Sequence, residues 1–383
     1  MNYFIKTQNY FSRLHLFFIR FLKQLAEDMV RIARRLLTGT NITTANNINS
    51  RSQGSIPESL TKQNNRPIIF VSACVDKSIP GVWKYNGGIK MLNLLVKLLR
   101  KHGYESYMVT YDGTYEPWLI EHQPHISIKE FEKLARDNKE IRCVTSWAIS
   151  KMFIDRCKKV YFWDMELAYS DNDHFSAIYS LYRHKSLRVA GCNSMICSWH
   201  MTYWKMPCTL LVDWVDEEFW MSNPQKRDFY KIGYMLESDE TENEIGLIKN
   251  RVLNKGIDLQ FQLIKGSEKE CLEAMQTCNV FLGMNHGKDK LWGEGFGLPM
   301  MEAMWAGCVV IAFDVIGNRE FIQTGYNGII INQGEIVSMA DMLSDLYLNS
   351  EKMELLRKNS ENTLKICHAS ETRWSKIKEF LEL

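Results

Sequence analysis

The feature that most constrains the fold of this 383-residue chain is an alternation, from Arg66 onward, of short apolar runs with amphipathic stretches. The run "IIFVSACV" (68–75) predicts a buried strand, "NGGIKMLNLLVKLLRKHG" (86–103) a turn followed by a helix, and "SYMVTYDG" (106–113) the next strand. This order is a βαβ unit, whose strands lie parallel because a helix carries the chain back across the sheet. We therefore predict an α/β fold with parallel sheets and helices on both faces.

Further apolar runs predict more buried strands, and helical segments separate most of them. These runs are 141–146, 159–164, 188–194, 208–213, 229–235, 259–266, 279–284 and 308–314. So many strands fit two doubly wound domains better than one. We place these domains at 66–215 and 216–365, followed by a terminal amphipathic helix at 366–383.

Two segments of a different character precede this pattern. Residues 1–37 contain a basic amphipathic helix, in which positions 11–36 carry apolar side chains on one face and arginines on the other. This helix predicts either attachment to an anionic membrane surface or docking on its own domain or on a partner. Residues 38–65 are rich in Asn, Thr and Ser and poor in large apolar side chains, which predicts a flexible linker.

Composition excludes several classes of function. The net charge is +2 and the basic excess is confined to residues 1–37, so we predict no nucleic-acid partner. The ten cysteines form no Cys-x-x-Cys pair, so we expect no metal site, and we expect buried thiols in a reducing cytosol. No apolar run is long enough to span a membrane. We expect a cytoplasmic protein, with the helix at 11–36 as a candidate peripheral anchor on the inner face of the membrane.

The stretch "GEGFGLPMMEAMWAG" (293–307) carries the strongest functional signal. Pro299 suits the first helical position, and Gly307 suits the end of the same helix. Gly295 and Gly297 allow a ligand to approach the backbone closely. The start of a helix offers N–H groups and a positive dipole end, so the loop predicts a site for a phosphate or diphosphate.

Two carboxylates flank this predicted anion site. Glu302 falls in the first helical turn, where a carboxylate suits the diol of a ribose better than a phosphate. Glu294, on the other side, would then face a hydroxyl-rich group beyond the diphosphate, and together they indicate a nucleotide-sugar. The alternative is that Glu302 only complements the helix dipole and that Glu294 is a solvated loop acid.

In this stretch the chain resembles the retaining glycosyltransferases of family four (glycosyl transferases group 1), which have the two-Rossmann-domain architecture called GT-B. Their motif of two glutamates within "EGFGLPxxEAMxxG" is matched from Glu294 to Gly307. Further similar segments are 317–332, the interdomain "LLVDWVDEEFW" (210–220), "NGGIK" (86–90) and the terminal helix with Trp374, and together the resemblance covers roughly residues 66–380.

The resemblance implies transfer of a sugar from a nucleoside diphosphate sugar to a glycan or another hydroxyl acceptor, with retention and without a metal or another cofactor. The first domain would then bind the acceptor, the second the donor, and the terminal helix would cross back to the first domain. By position, Glu302 would bind the ribose, Glu294 would act at the donor sugar, and the backbone of Phe296, Gly297, Leu298 and Pro299 would hold phosphate, opposite the glycine loop of Gly87 and Gly88. A role in polysaccharide or glycoconjugate synthesis, with a lipid-linked acceptor as one option, follows from the same likeness.

The chain departs from the family where an Arg and a Lys usually neutralise the diphosphate. Tyr234 stands in the Arg position, and Ser238 and Asp239 stand near the Lys position. Our hypothesis is that Lys288 or Lys290, together with Arg319, supplies the missing charge. Lys90 and Arg319 each follow a glycine-containing turn, and Lys90 is a further candidate for donor binding. In the first domain, Asp164 ends a predicted strand where family members often carry a His, so it is a candidate catalytic acid or a simple strand-end cap.

Three other interpretations remain open. The missing cations and the basic helix also fit a catalytically silent GT-B subunit that binds a partner or a glycan. Asp171-Asn172-Asp173 matches the Asp-x-Asp pattern of metal-dependent GT-A transferases, although three residues are a weak signal. An epimerase acting on nucleotide-sugars has a similar two-domain shape.

Overall fold

The computed structural model of the chain describes most of the sequence after Arg66. The described residues are 66–72, 87–115, 118–137, 140–146, 157, 159–165, 181–183, 185–222, 224–236, 239–285 and 295–383. The predicted helix at 11–36, the linker at 38–65 and the loop at 286–294 lie outside them.

The amino-terminal sheet of the described chain has seven strands in the order β3-β2-β1-β4-β5-β6-β7, all parallel. Its strands are β1 (Ile68–Ser72), β2 (Ser106–Thr110), β3 (His125–Ser127), β4 (Ile141–Thr145), β5 (Lys159–Asp164), β6 (Leu187–Gly191) and β7 (Cys208–Leu210). The helices that the structure bounds in this half are Gly87–Lys101, Ile128–Asp137 and Ser194–Tyr203, and the short helix Glu217–Trp220 leads to the second half.

The carboxy-terminal sheet has five parallel strands in the order β12-β11-β10-β8-β9. Its strands are β8 (Lys231–Tyr234), β9 (Gln260–Leu263), β10 (Val280–Gly283), β11 (Val309–Phe313) and β12 (Ile329–Ile331). Its helices are Asp239–Asn254, Glu268–Thr277, Leu298–Trp305, Ile336–Leu348 and Ser350–Thr363.

The predicted α/β class with two doubly wound parallel sheets is confirmed. Each predicted run overlaps an observed strand, and most strands are shorter than the run. The predicted runs do not include β3, which has only three residues and carries polar side chains at two of them, or β12, which also has only three residues.

Each sheet has one switch point, at which the strand order reverses. Ligands of such folds usually bind there, beyond the carboxyl ends of the strands. In the first sheet that point lies between β1 and β4, and in the second between β8 and β10. The helix Gly87–Lys101 comes after β1, and the helix Leu298–Trp305 comes after β10. One buried cluster contains side chains of both helices, such as Met91 and Met301.

The terminal helix Trp374–Leu381 packs against the amino-terminal sheet. The guanidinium of Arg142, in β4, donates to the carbonyl oxygen of Leu381, and the Glu382 carboxylate after the helix accepts from Lys159 at 3.0 Å. The ring of Trp374 stacks on His102, with 3.8 Å between ring centroids. These contacts tie the end of the chain to the first half of the molecule.

The expectation of free thiols is wrong for one pair of cysteines. Cys143 and Cys157 form a disulfide, and their Cα atoms lie 6.3 Å apart, which is within the usual range for such a bond. The free cysteines of the described residues are Cys192, Cys197, Cys208, Cys271, Cys278, Cys308 and Cys367, and Cys367 is exposed.

Candidate functional site

The helix Leu298–Trp305 starts at the carboxyl edge of the second sheet. Gly297, just before it, has a φ of 89°, a left-handed conformation that strongly favours glycine. Pro299 is the second helical residue, one position later than predicted, and its missing N–H costs nothing in the first turn. The turn therefore gives the helix a defined start, of the kind that binds anions through N–H groups and the helix dipole.

Glycine is required in this loop because backbones touch there. A Cβ added to Gly295 would lie 1.6 Å from the carbonyl oxygen of Met165, directly after β5. A Cβ added to Gly317 would lie 2.3 Å from the carbonyl oxygen of Gly295. Both neighbours are main-chain atoms, so neither position accepts a side chain unless the loop moves. Packing alone thus explains the glycine at 295, and its role toward a ligand stays a prediction.

The helix Ser194–Tyr203 of the first half holds this loop by side-chain contacts. Asn193 caps that helix, since its side-chain oxygen accepts from the N–H of Ile196 at 2.8 Å, and its amide donates to the carbonyl oxygen of Gly295. Cys192 donates to the same carbonyl at 3.2 Å. Burial, with smaller contributions from Asp213 and Asp164, raises the pKa of the Cys192 thiol well above its usual range, so the thiol stays a donor.

A second contact joins the same helix to the other half of the molecule. The carboxylate of Glu320 accepts from the N–H of Ser194 at 2.7 Å and from its hydroxyl at 2.6 Å. A carboxylate is favoured at this place by the positive end of the helix dipole. The segment Gly317–Glu320, whose Gly317 packs on Gly295, is therefore also tied to the first half.

The starts of two helices, one from each half, meet beside this loop. Gly87 begins the first helix, and a Cβ added to it would lie 2.9 Å from the Cδ1 atom of Leu298. Gly88, the next residue, is half-buried. The two positive helix ends are thus neighbours, which strengthens the case for an anion site.

Lys90 lies one turn into the Gly87 helix and forms ion pairs with two carboxylates of the second half. Its ammonium donates to Glu302 and pairs with Glu268, the first residue of the helix Glu268–Thr277. Glu302 is the fifth residue of the Leu298 helix, so the prediction that it lies in the first turn is wrong, because the helix begins one residue before Pro299. The exposed fractions of the three side chains are 10% for Lys90, 9% for Glu302 and 14% for Glu268. Lys90 also lies 4.9 Å from the ring centroid of Trp220, where the aromatic face adds attraction for a cation.

Burial and the ion pairs act in opposite directions in this cluster. Burial lowers the pKa of Lys90, but Glu302 and Glu268 outweigh it, so the pKa is raised above its ordinary value. Burial raises the pKa of Glu302, and Lys90 offsets only part of that rise. One cation thus stabilises two carboxylates, and the cluster keeps one excess negative charge when all three groups are ionised.

Sequence reasoning did not single out Glu268. Ser267 and Glu270 form a capping box at the start of its helix, and "SEKE" carries the sequence signal for it. That signal predicts the start of a helix but not the direction of the Glu268 side chain. A contact across the two halves fixes that direction, because the Glu268 carboxylate also accepts from the N–H of Ile120 at 3.1 Å.

Asp164, the candidate catalytic acid, lies inside the first half. Its carboxylate accepts from the Nε2 atom of His200 at 2.7 Å, and the Nδ1 atom of His200 contacts the hydroxyl of Tyr182. The residue is 2% exposed and His200 is fully buried. Met165, whose carbonyl touches Gly295, is the next residue in the chain. The catalytic role of Asp164 stays a prediction, and its burial favours a positioning role.

The candidate replacement cations lie in different places. The guanidinium of Arg319 donates to both carboxylate oxygens of Asp314 after β11, and 62% of the Arg319 side chain is exposed. Lys288, Lys290 and Glu294 lie outside the described residues. Tyr234, which stands where the family has its Arg, ends β8 and is partly buried. Of the four candidates, Lys90 is the one whose place beside the Leu298 helix the structure describes.

Neither a metal cluster nor a membrane span is found in the described part of the chain. No group of three or more His, Cys, Asp or Glu side chains there could hold a metal ion. The Asp-x-Asp pattern at 171–173 lies outside the described residues. None of the described helices is long and apolar enough to cross a bilayer.

One known protein family matches part of the second half of the chain. Residues 236–363, which include the Leu298 helix and Glu302, match the family model of glycosyl transferases group 1. Over 76 residues the chain is 34% identical to the phosphatidyl-myo-inositol mannosyltransferase of Mycobacterium leprae. That match spans 20% of this chain and only 19% of the length of the mannosyltransferase.

Solved structures share the fold of the described chain at low sequence identity. Sucrose-phosphate synthase from Thermosynechococcus elongatus has a TM-score of 0.60 and 13% identity, over 83% of this chain and 98% of the synthase. Anabaena Alr3699/HepE in complex with UDP-glucose has a TM-score of 0.56 and 11% identity, over 82% of this chain and 100% of that protein. These likenesses show that the two parallel sheets are arranged as in the GT-B fold.

Proposed function

We propose that this protein is a glycosyltransferase that moves a sugar from a nucleoside diphosphate sugar to a hydroxyl acceptor, with retention of the anomeric configuration. The observation that carries the proposal is the meeting of two helix starts, at Gly87 and Leu298, with Glu302 just after the first turn of the second helix. The match of residues 236–363 to glycosyl transferases group 1 supports it.

In this proposal the diphosphate binds at the backbone of Phe296–Pro299 and faces Gly87 and Gly88. The ribose hydroxyls donate to Glu302, and Glu294 acts at the donor sugar. Hydrogen bonds and helix dipoles aimed at the departing diphosphate lower the barrier, and orientation of the acceptor hydroxyl supplies the rest. This mechanism requires no metal and no cofactor apart from the donor itself.

The comparisons support a choice of substrates to test first. UDP is the first nucleotide to test, since HepE is recorded with UDP-glucose. A glycan or a lipid-linked acceptor is the proposed second substrate, since the mannosyltransferase relative is named for a phosphatidyl-myo-inositol acceptor. The amphipathic helix at 11–36 would bring the enzyme to the inner face of a membrane, in a pathway that builds polysaccharides or glycoconjugates.

A donor-panel experiment tests the proposal. The purified full chain is incubated with UDP-, GDP-, ADP- and dTDP-sugars, and release of the nucleoside diphosphate is measured with and without added hydroxyl acceptors. We expect release with one class of donor, and we expect Glu294→Ala to lose this activity. Glu361→Ala is the matched control, because Glu361 lies on the helix Ser350–Thr363 and forms an exposed ion pair with Lys365. Turnover or binding of none of these donors would contradict the proposal.

A second candidate function is a catalytically silent GT-B subunit that binds a partner or a glycan. The observation that favours it is the engagement of both described replacement cations with carboxylates, Lys90 with Glu302 and Arg319 with Asp314. Donor binding without turnover by the purified chain, with turnover only after a partner is added, would support this candidate. Transfer by the chain alone would exclude it.

A further inference from the structure

The carboxylate proposed for the ribose is already engaged before a donor binds. Glu302 is ion-paired with Lys90, and Lys90 is also ion-paired with Glu268. A ribose diol and an ammonium compete for the same lone pairs of a carboxylate, because both donate hydrogen bonds to it. A donor that uses Glu302 must therefore share it with Lys90 or displace the ammonium.

The charges of the cluster create a second requirement. When its one cation and two carboxylates are all ionised, the cluster carries an excess negative charge in a place with little solvent. A diphosphate that binds at the neighbouring start of the Leu298 helix would be repelled by this charge, since screening is weak for partly buried groups. The Arg and Lys that the family usually carries are absent at Tyr234 and nearby, so another cation has to offset this repulsion.

Lys90 is within reach of the place where the diphosphate would lie. It follows Gly87 by three residues, roughly 4.5 Å along the helix axis at the normal rise per residue. Gly87 itself touches Leu298, the first residue of the opposing helix. A lysine side chain is a flexible stem with a point charge, so the ammonium can turn from Glu302 toward an anion without movement of the helix.

We propose that Lys90 is the cation of the donor diphosphate and that Glu302 and Glu268 hold it until the donor arrives. The ribose hydroxyls then replace the ammonium on Glu302, and the freed ammonium turns to the diphosphate. Glu268 is the positioning residue of this exchange, because the N–H of Ile120 keeps its carboxylate in place when Lys90 turns away. This inference rests on the proposed function and adds to it an assignment for Lys90 and for Glu268.

The exchange predicts that Lys90 favours the phosphates and opposes the nucleoside. Without Lys90, a nucleoside meets a free Glu302, whereas a nucleoside diphosphate loses its charge partner. Without the charge of Glu268, the Lys90 ammonium leaves its carboxylate partners more easily, and the cluster has no excess negative charge. A purely structural ion cluster predicts neither effect, since its loss would weaken both ligands together.

The test is calorimetric binding of uridine and UDP to the full-length wild type and to Lys90→Met, Lys90→Arg and Glu268→Gln. GDP, ADP or dTDP with its own nucleoside replaces this pair if the wild type prefers it. We expect Lys90→Met to weaken UDP about tenfold or more, the usual effect of a lost charge-assisted bond, and to leave uridine unchanged or bound more tightly. Lys90→Arg should restore part of the UDP affinity, and Glu268→Gln should strengthen UDP binding.

Lys97→Met is the matched control, since Lys97 lies on the same helix and pairs with Glu121 and with Asp216 at 2.7 Å, away from Glu302. It should change neither affinity. Equal weakening of uridine and UDP by Lys90→Met, or UDP binding that is unaltered by it, would overturn the inference while the proposed function stands. If Lys90→Met does not fold, a loss of UDP affinity in Glu268→Gln overturns it instead. A wild type that binds none of the four nucleoside diphosphates would overturn the proposed function and this inference with it.

Discussion

Lys90 and Glu302 form a buried ion pair that joins the helix Gly87–Lys101 of the first half to the Leu298 helix of the second half. These helices follow β1 and β10, which are strands at the switch points of the two sheets. The ion pair therefore affects both the unfolding free energy and donor binding. The pH dependence of unfolding measures the first of these two effects.

The first prediction concerns the unfolding free energy of Lys90→Met. Burial already raises the pKa of Glu302, and removal of Lys90 raises it further. A carboxyl whose pKa is raised on folding favours the folded state at low pH, and this contribution is lost as the pH rises through the folded pKa. We expect Lys90→Met to lower the unfolding free energy by roughly 3 kcal/mol at pH 8 and by clearly less at pH 5, as measured by urea unfolding. A loss that is the same at both pH values would show that Glu302 stays ionised without its partner.

A second prediction concerns Gly295, whose Cβ position is taken by the carbonyl oxygen of Met165. Gly295→Ala should displace the loop before the Leu298 helix, so we expect donor affinity to fall by about tenfold or more, in line with the effect of small misplacements at a site. Gly246→Ala is the control, because no atom lies within 4 Å of an added Cβ there and alanine suits the helix Asp239–Asn254. The control should keep donor affinity and raise stability slightly. Unchanged affinity in Gly295→Ala would mean that the loop adapts freely.

The third prediction is a pH dependence that arises at His368. Burial, together with the adjacent Arg373, lowers the pKa of His368 to about 4. Its ring accepts a hydrogen bond from the Arg373 guanidinium at 2.7 Å, which requires the neutral form. The contribution of a group with a depressed pKa is complete above the unfolded value near 6.5 and is lost as the pH falls toward the folded value. Between pH 7 and pH 5 we expect the contribution of His368 to the unfolding free energy to fall by about 2 kcal/mol.

The measurement compares urea unfolding of the wild type and of His368→Gln at pH 7, 6 and 5. Glutamine retains an acceptor for Arg373 but does not titrate in this range. The variant should therefore be less sensitive to acid than the wild type. Identical slopes for the two proteins would place the acid sensitivity elsewhere in the chain.

The fold was accessible from the sequence because its signals are local. The run "KVYFWD" predicts β5 with its observed bounds, since the strand is buried along almost its whole length and ends at a charged residue. The start of the Leu298 helix is predicted within one residue because glycine and proline have few alternatives there. The three-residue β3 lacks such a signal, since it depends on pairing with β2 rather than on its own apolar content.

The contacts within the site were not accessible in the same way, because they join residues far apart in the chain. Lys90 and Glu302 are 212 positions apart, and no spacing rule relates them. Glu268 was missed for the same reason, although the start of its helix was marked by a capping box. Arg319 is a candidate cation because it follows a glycine-containing turn. The sequence did not show that its guanidinium is already paired with Asp314. Long-range charge pairing is what a single sequence leaves open.

The last prediction concerns Asp164, for which a catalytic role and a positioning role lead to different results. The carboxylate is 2% exposed and bonded to buried His200, so Asp164→Ala leaves the ring without its acceptor. An unsatisfied buried group of this kind costs about 1–3 kcal/mol, and we expect unfolding free energy to fall by that amount. Asp164→Asn keeps an acceptor and should lose less.

Turnover decides between the two roles, provided that it is measured per folded molecule and well below the unfolding midpoint of each variant. We expect Asp164→Asn to keep turnover within a few fold of the wild type, because asparagine holds His200, and through the adjacent Met165 the loop at Gly295, nearly as aspartate does. His200→Ala should then resemble Asp164→Ala in both stability and turnover, since each removes one partner of the same bond. A loss of turnover of about a hundredfold or more in Asp164→Asn, without a loss of stability, would instead assign the carboxylate to the chemistry, because general acid–base groups contribute on that scale.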